Sequence, residues 1–157
     1  MDRKILFRGK RIDNSEWVHG SFCMDALEQF NGLCGVDGFI RLYDKDSGKM
    51  QMYEVDRETV GQYTGLTDKN SKKIFEGDIF SVTWKAEGRT PVVKSFVVEF
   101  KNGCFYARTF NGNTIVATVS NYAKCGKVGN TGVFVEVIGN IHDNPELLEG
   151  GVENAAD

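Results

Sequence analysis

His19 and His142 are the only two histidines in the chain, and histidine is the side chain best suited to proton transfer near neutral pH. A catalytic histidine needs a nucleophile or substrate within hydrogen-bond reach and a third group that orients its ring. Asp143 follows His142 and could orient it, but adjacency in sequence brings no nucleophile near the pair. His19 stands in an alternating pattern typical of a half-exposed strand residue. We therefore predict no catalytic residue and no enzymatic activity, and an enzyme hypothesis could use only His142 with Asp143.

Two acidic segments have part of the spacing of a calcium-binding loop. The first begins at Asp44, but Gly48 stands at its fifth position and Val55 at its twelfth, where the loop needs oxygen ligands. The second begins at Asp68 and fails in the same way, with Ile79 at the twelfth position. The chain also lacks the Cys-x-x-Cys and His-x-x-x-His spacings of zinc sites. We predict no metal ligand and interpret both segments as turns, in which Asp and Asn bond their own backbone.

A glycine-rich segment, Gly126 to Gly132, contains a lysine and so invites comparison with phosphate-binding loops. A P-loop requires a glycine where Asn121 stands and a serine or threonine where Val128 stands. It also opens a helix, whereas the following residues, Val133 to Ile138, have the apolar pattern of a strand. We interpret the segment as a flexible loop and predict no nucleotide or other cofactor.

Basic residues are concentrated near the N-terminus, where five cations and one carboxylate fall within the first eleven residues. Aromatic residues accompany this cluster and a second basic segment at residues 69–73, and small β-barrels stack bases on aromatic faces surrounded by lysine and arginine. The candidate nucleic-acid-binding residues are Arg8, Lys10, Arg11, Lys72 and Lys73. Residues 1–148 nevertheless contain 19 acidic and 19 basic side chains. A balanced charge does not indicate a polyanionic partner, so nucleic acid is the less favoured prediction.

Cysteine usage and hydropathy indicate a cytoplasmic protein. The four cysteines, Cys23, Cys34, Cys104 and Cys125, are separated by 11, 70 and 21 residues and form no compact disulfide framework. The charged start lacks the apolar core of a signal peptide, and no apolar run approaches the roughly 20 residues that cross a bilayer. We predict reduced thiols, no membrane association and localisation in the cytoplasm.

Short apolar runs separated by glycine-containing turns predict a β protein. The strongest hairpin joins Val92–Phe100 to Cys104–Thr109 through Asn102-Gly103, which supplies the positive φ angles of a type I′ turn. A second hairpin joins Phe39–Tyr43 to Met50–Val55 through a five-residue loop. Further strands are predicted at Lys4–Arg8, Trp17–Phe22, Asp78–Trp84, Thr114–Val119 and Val133–Ile138.

Without crossover helices these strands cannot form a parallel sheet, so we predict an all-β fold of antiparallel barrels or a sandwich. Asn144 and Pro145 predict the start of a short C-terminal helical turn. The alternative is an α+β domain, if Met24–Phe30 and Ser120–Cys125 prove helical. Residues 149–157 lack apolar periodicity and are predicted to be a disordered tail.

Three sequence blocks, taken in order, resemble one known family. Near the start, Phe7-Arg-Gly-Lys-Arg-Ile-Asp-Asn14 leads into Glu16-Trp-Val-His-Gly20. In the middle, a turn-rich Thr59-Val-Gly-Gln-Tyr-Thr-Gly-Leu66 run precedes Asp68-Lys-Asn-Ser71 and Glu76-Gly-Asp78. Near the end stands Ile138-Gly-Asn-Ile-His-Asp-Asn-Pro-Glu-Leu-Leu148. In this order the blocks resemble the YopX-like family of phage and prophage proteins.

The resemblance implies a single YopX-like β domain over residues 1–148, with a complex all-β fold that includes an SH3-like barrel element. It also implies a phage or prophage origin with a bacterial host, but it brings no biochemical activity. Together with the failed catalytic patterns, it predicts a non-catalytic oligomeric or protein-binding module. Its expected partner is a second copy of the chain, a host protein or a phage protein. The alternative is a nucleic-acid-binding small-barrel protein.

The middle block predicts a packed structural corner. Gly77 lies between two carboxylates directly before a strand, where glycine commonly supplies a positive φ or a close backbone approach. We therefore expect four residues to be largely buried, namely Tyr63, Leu66, Phe75 and Ile79. The alternative is that Tyr63 and Thr64 form an exposed recognition loop.

Overall fold

A computed structural model gives the structure of the protein and describes residues 5–23, 38–45, 47–110, 115–119, 127–128 and 131–149. The chain divides into two compact units, Met1–Tyr63 (the N-terminal unit) and Thr64–Asp157 (the C-terminal unit). The predicted all-β fold is confirmed, because the described residues form mainly antiparallel strands. No helix among them is long and apolar enough to cross a membrane.

The N-terminal unit is built from four strands in its described part. They are β1 (Phe7–Arg11), β2 (Trp17–Cys23), β3 (Phe39–Asp44) and β4 (Lys49–Thr67), the last of which continues past the boundary between the units. Each strand pairs antiparallel with the next, and β4 also pairs with β1, with Arg11 opposite Val55 and Arg8 opposite Gly61. The pairings therefore close a ring of four strands. Ile40 and Val55 are fully buried within this unit.

Strand β1 lies further along the chain than the sequence predicted. The expected strand was Lys4–Arg8, whereas the observed strand is Phe7–Arg11. The turn into β2 fixes this end, because the Arg11 N–H donates to the carbonyl of Glu16 at 2.9 Å. Gly20 of β2 is required by the pairing with β3, since a Cβ there would lie 2.1 Å from the carbonyl oxygen of Arg41.

A bulge in β4 allows this strand to pair with β1 on both sides of the irregularity. Between two paired positions β1 advances from Arg8 to Lys10, whereas β4 runs from Gly61 back to Asp56. Thr59 lies in this bulge and is buried. Its Oγ1 accepts a hydrogen bond from the Lys10 N–H at 2.8 Å and donates to the Asp56 carbonyl at 2.6 Å. One side chain therefore replaces the strand pairing that the bulge interrupts.

The prediction that residues Thr59 to Leu66 form turns is wrong. The structure continues β4 through these residues to Thr67. The bulge and Gly65, which has a φ of 85°, accommodate irregular backbone without ending the strand. The sequence showed the glycines but not the partner strands that keep this segment extended.

The hairpin between β3 and β4 is confirmed, with a loop one residue shorter than predicted. Asp44 pairs with Lys49, so the loop comprises residues 45–48. The Asp44 carboxylate accepts hydrogen bonds from Ser47 Oγ at 2.6 Å and from Gln51 Nε2 at 3.2 Å. This acidic segment is therefore a turn, as its composition indicated.

The C-terminal unit contains the remaining strands and a short helix. They are β5 (Lys73–Phe75), β6 (Asp78–Lys85), β7 (Val92–Lys101), β8 (Cys104–Arg108), β9 (Ile115–Thr118), β10 (Lys127–Val128), β11 (Thr131–Asn140) and α1 (Glu146–Glu149). Six strands form an antiparallel sheet in the order β10-β11-β6-β7-β8-β9. The predicted two-residue turn between β7 and β8 is confirmed, because Asn102 and Gly103 have φ angles of 50° and 79° and Lys101 pairs with Cys104.

Alternating residues of this sheet form the hydrophobic core of the C-terminal unit. Phe80 of β6 is paired with Phe96 of β7, Val82 and Val98 lie on the same face of these two strands, and all four side chains are nearly or fully buried. Further buried members of the core are Ile74, Ala107, Val119, Val135 and Val137. Burial of each Val, Ile or Phe side chain in this core contributes roughly 1.5–3 kcal/mol, so these residues stabilise the sheet.

The glycine-rich segment is not the flexible loop that the sequence predicted, at least in its described residues. Lys127 and Val128 form β10 and pair with Gly132 and Thr131 at the start of β11. The difference arises because β11 begins two residues before the predicted strand and so reaches far enough to pair with β10.

The short C-terminal helical turn is confirmed as α1. The carbonyls of Asn144 and Pro145 accept hydrogen bonds from the N–H groups of Leu147 and Leu148. The Asn144 side chain also holds the preceding segment, because its Oδ1 accepts a hydrogen bond from the Asn140 N–H at 3.3 Å. An SH3-like barrel element is not identified by the strand pairings and stays a prediction. The predicted tail after Glu149 and the segments Met24–Phe30 and Ser120–Cys125 lie outside the described residues.

Candidate functional site

The predicted basic cluster of the N-terminal unit contacts aromatic rings. Lys10 pairs with Trp17 and Arg8 with His19, so these cations share a face of the β1–β2 pair with the indole. The guanidinium carbon of Arg8 lies 4.7 Å and the Lys10 Nζ 5.6 Å from the centre of the Trp17 ring. Such cation–π contacts contribute about 0.5–2 kcal/mol. Arg8 is also largely buried.

Arg11, the third member of the cluster, contacts both an aromatic ring and two carboxylates. Its guanidinium lies 4.4 Å from the Tyr53 ring centre. Its Nε donates to Asp13 Oδ1 at 2.8 Å, its Nη2 contacts Asp13 Oδ2, and its Nη1 lies 3.9 Å from Glu16. The hydrogen bond from Arg11 lowers the pKa of Asp13 and raises that of Arg11 itself. The positive charge of Arg11 is thus partly compensated within the N-terminal unit.

Lys72 and Lys73 lie in the C-terminal unit, where both are exposed. Lys72 ends a turn whose backbone is bonded to Asp68, and Lys73 begins β5. Arg8 and Lys10 thus lie beside Trp17 and Arg11 lies beside Tyr53, all in the N-terminal unit, whereas the two lysines belong to the C-terminal unit. A role of these five residues in binding nucleic acid stays a prediction.

The second acidic segment is a turn whose carboxylate is used by the backbone. Asp68 Oδ1 accepts hydrogen bonds from the N–H groups of Asn70 and Lys72 at 2.8 and 2.9 Å, and its Oδ2 accepts one from Val137 of β11 at 3.0 Å. The Lys69 ammonium contacts Glu136, also of β11, at 2.6 Å. The interpretation as a turn is confirmed, and the turn is fixed to the edge of β11.

The corner at Gly77 has the buried character that the sequence predicted. Gly77 has a φ of 78°, its N–H donates to the carbonyl of Val98 at 3.0 Å, and its carbonyl accepts from Ile141 at 2.9 Å. Asp78 is buried, and its Oδ2 accepts a hydrogen bond from the Phe75 N–H at 2.7 Å. Backbone from three parts of the chain therefore meets at this glycine.

The burial predicted around this corner is confirmed for Phe75 and Ile79 and is only partial for Tyr63 and Leu66. Thr64 donates from its Oγ1 to the carbonyl of Ile74 at 2.8 Å, and Tyr63 and Thr64 belong to β4. An exposed recognition loop at these residues is therefore not what the structure contains.

His142 lies in a turn that is organised by Asn140. The Asn140 Oδ1 accepts hydrogen bonds from the N–H groups of His142 and Asp143 at 3.0 and 2.9 Å. Its Nδ2 donates to the Asp143 carboxylate at 2.7 Å. The carboxylate that could orient His142 is therefore already bonded to an amide, and the absence of catalysis stays a prediction.

The largest exposed apolar side chains of the N-terminal unit's hairpin form a surface that sequence reasoning missed. Tyr43, Met50 and Met52 are 59%, 53% and 55% exposed. Tyr43 is paired with Met50 and Arg41 with Met52. Because paired residues share a face of an antiparallel sheet and side chains alternate along each strand, all four point to the same side.

The adjoining row of the hairpin completes this surface. Glu54 pairs with Phe39 on the same side and is exposed, whereas Ile40 and Val55 point to the opposite side and are fully buried. The surface consisting of Arg41, Tyr43, Met50, Met52 and Glu54 is called the outer hairpin face. A signal was present in the sequence, since the two strands carry apolar residues on both faces, which is more than one buried side requires.

Comparison with known proteins supports the family resemblance. The family model described as YopX protein matches residues 6–149. The chain also aligns with the crystal structure of protein EF1440 from Enterococcus faecalis, with 23% sequence identity, a TM-score of 0.45 and coverage of 92% of this chain and 98% of that chain. A search of curated proteins found no match. On the extent of the family match, this chain belongs to the YopX family.

Proposed function

We propose that this protein is a non-catalytic module of phage or prophage origin that binds another protein chain in the cytoplasm of a bacterial host. The observation that carries the proposal is the exposure of Tyr43, Met50 and Met52 side by side on the outer hairpin face. The phage origin and the bacterial host rest on the family resemblance alone, and the cytoplasmic location rests on cysteine usage and hydropathy as well. The binding role rests on the surface.

The composition of the outer hairpin face resembles that of protein interfaces. Contiguous exposed apolar surface commonly marks an interaction site, whereas single exposed apolar residues do not. Tyrosine, methionine and arginine are enriched at such interfaces, and methionine adapts its flexible side chain to the partner. Tyr43, Met50 and Met52 supply the apolar centre, and Arg41 and Glu54 supply polar groups within the same surface.

The charges of the N-terminal unit also favour a protein over a nucleic acid. Binding to a polyanion requires lysines and arginines that can contact phosphates. Arg11 is paired with Asp13 and Glu16, and Arg8 is largely buried beside Trp17. Engaging these cations with phosphate would disrupt contacts within the unit, so the apolar face is the better supported surface.

Site-specific photo-cross-linking tests this proposal. A photoreactive amino acid at Met52 is compared with the same amino acid at Glu87, which is exposed in the loop between β6 and β7. Position 52 is expected to yield adducts with a defined protein chain, either a second copy or a different protein identified by mass spectrometry. Position 87 is expected to yield none.

The interaction that the adduct identifies is then tested with purified components. Met52→Glu should weaken binding of the identified partner at least about tenfold, because it places a charge in a desolvated apolar contact. Glu87→Arg is the matched surface control and should leave binding unchanged. Equal adduct yields at positions 52 and 87 would contradict the proposed function.

A further inference from the structure

The outer hairpin face carries one charge of each sign within its apolar surface. Arg41 lies opposite Met52, and Glu54 lies in the next row, opposite Phe39. Diagonal neighbours of this kind on an antiparallel pair are about 7–8 Å apart. Both side chains are exposed, so a partner must contact a positive and a negative group as well as three apolar side chains.

A surface with this charge pattern is complementary to itself. A two-fold axis that passes between Arg41 and Glu54 places each residue beside the opposite charge of a second copy. Two-fold interfaces are isologous, so the same patch serves both partners and every contact occurs twice. A polyanion or an anionic membrane would meet one attractive and one repulsive group on this surface and would gain little.

We propose that the outer hairpin face binds the outer hairpin face of a second copy, with Arg41 of each copy beside Glu54 of the other. This inference rests on the proposed function and names its partner. Met52 of each copy lies close to this axis and packs against Met52 of the other copy, next to the charge pairs, whereas Tyr43 and Met50 lie at the periphery of the contact. Self-association thus buries Met52, which is exposed in the single chain.

The size of the surface determines the strength that is expected. A stable dimer typically buries about 800 Å² on each partner. Three strongly exposed apolar side chains with two charged neighbours supply less than that. The dimer is therefore expected to be weak, with monomer and dimer exchanging in the micromolar range of concentration.

Charge reversal distinguishes a contact between chains from a contact within one chain. In a dimer of the Arg41→Glu variant, the glutamate at position 41 of each copy would lie beside Glu54 of the other. In a dimer of the Glu54→Arg variant, the arginine at position 54 would lie beside Arg41 of the other copy. Each single variant should therefore weaken its own dimer at least about tenfold, because like charges at an interface are strongly unfavourable. A mixture of the two variants restores both attractive pairs and should form a heterodimer. The double variant Arg41→Glu with Glu54→Arg should form a homodimer again.

Sedimentation velocity from micromolar to millimolar concentration measures these states. The wild-type chain should shift from monomer to dimer, each single reversal should remain monomeric, and their mixture should recover the dimer. Glu87→Arg is the control for a change of net charge and should behave as wild type. Circular dichroism of each single reversal should match wild type, and recovery of the dimer on mixing excludes misfolding as the cause of its loss.

Failure of this inference can be separated from failure of the proposed function. A wild-type chain that stays monomeric at millimolar concentration, or a mixture of single reversals that stays monomeric, would overturn the self-association. If Met52 then cross-links to a different protein, the binding function stands with another partner. If Met52 yields no adduct beyond that of Glu87, the proposed function fails as well.

Discussion

The Gly77 corner in the C-terminal unit and the outer hairpin face in the N-terminal unit use their side chains in opposite ways. At the corner, Phe75 and Ile79 are buried, and the buried Asp78 carboxylate accepts a hydrogen bond from the backbone. On the hairpin, Tyr43 and Met52 remain more than half exposed. The Gly77 corner therefore has a structural role, whereas the β3–β4 hairpin, which contains no recognisable motif, supplies the candidate binding surface.

The difference shows how polar residues should be interpreted in a small β protein. Asp68 begins a segment with part of the spacing of a calcium-binding loop, but its oxygens accept hydrogen bonds from three backbone N–H groups. Arg41 and Glu54 belong to no recognisable motif, yet they are exposed beside apolar side chains. In this chain the acidic motif stabilises the local backbone conformation. The exposed side chains, in contrast, indicate which surface can bind a partner.

Replacing Asp68 by Ala should produce the largest loss of stability among the changes in the C-terminal unit and so tests the structural side of the comparison. Three backbone donors lose their acceptor, and the N–H of Val137 lies in a buried bond. The free energy of unfolding should fall by about 2–3 kcal/mol, measured by urea denaturation. Asp68→Asn keeps one carbonyl oxygen and should be intermediate. A loss below about 0.5 kcal/mol for the alanine variant, the level of an ordinary surface change, would remove Asp68 as a structural anchor.

Replacing Gly77 by Val should be the next largest effect. A β-branched residue must adopt a φ near 78° in a buried position where two backbone hydrogen bonds meet. The expected loss of unfolding free energy is about 1–3 kcal/mol. Gly65→Val is the matched control, because Gly65 also has positive φ but an added Cβ would meet nothing within 4 Å. It should cost about 1 kcal/mol, and an equal cost at both sites would show that packing at the corner adds nothing.

Acid should weaken the contact between the Asp68 turn and β11 by a small amount. The hydrogen bond from Lys69 lowers the pKa of Glu136 below its ordinary value. The contact is therefore fully stabilising above the pKa of Glu136 in the unfolded chain and is lost as pH falls through the lower pKa of the folded chain. Glu136→Gln should flatten the dependence of the urea midpoint on pH in this acidic range. Added salt should reduce the difference from wild type, because the pair is exposed. An unchanged acid dependence in the Gln variant would contradict this account.

Replacing Met52 by Glu should have the smallest effect on stability and so tests the other side of the comparison. The side chain is 55% exposed, and surface substitutions usually change the free energy of unfolding by no more than about 0.5 kcal/mol. The same variant should nevertheless weaken binding of the partner identified by cross-linking from position 52 at least about tenfold. Val55→Glu is the contrasting change, because Val55 is fully buried in the same strand, and it should unfold the unit. A strongly destabilised Met52→Glu would mean that Met52 belongs to the core.

Part of this fold could be predicted from local sequence because its cause is local. Asn102 and Gly103 tolerate the positive φ angles of a two-residue turn, so the register of β7 and β8 followed from two residues. Alternating apolar residues likewise predicted β6, β7 and β11. The continuation of β4 to Thr67 could not be predicted, because its bulge depends on a bond between Thr59 and Lys10, which are far apart in sequence.

The sequence alone determined an antiparallel β protein with a buried glycine corner, since turn chemistry and alternation are properties of neighbouring residues. Only the tertiary structure decided which side of the β3–β4 hairpin is outside. Ile40 and Tyr43 are both apolar and point to opposite sides, so alternation with a period of two residues favours neither. The pairing of β1 with distant residues of β4 closes the ring, buries Ile40 and Val55, and leaves Tyr43, Met50 and Met52 exposed.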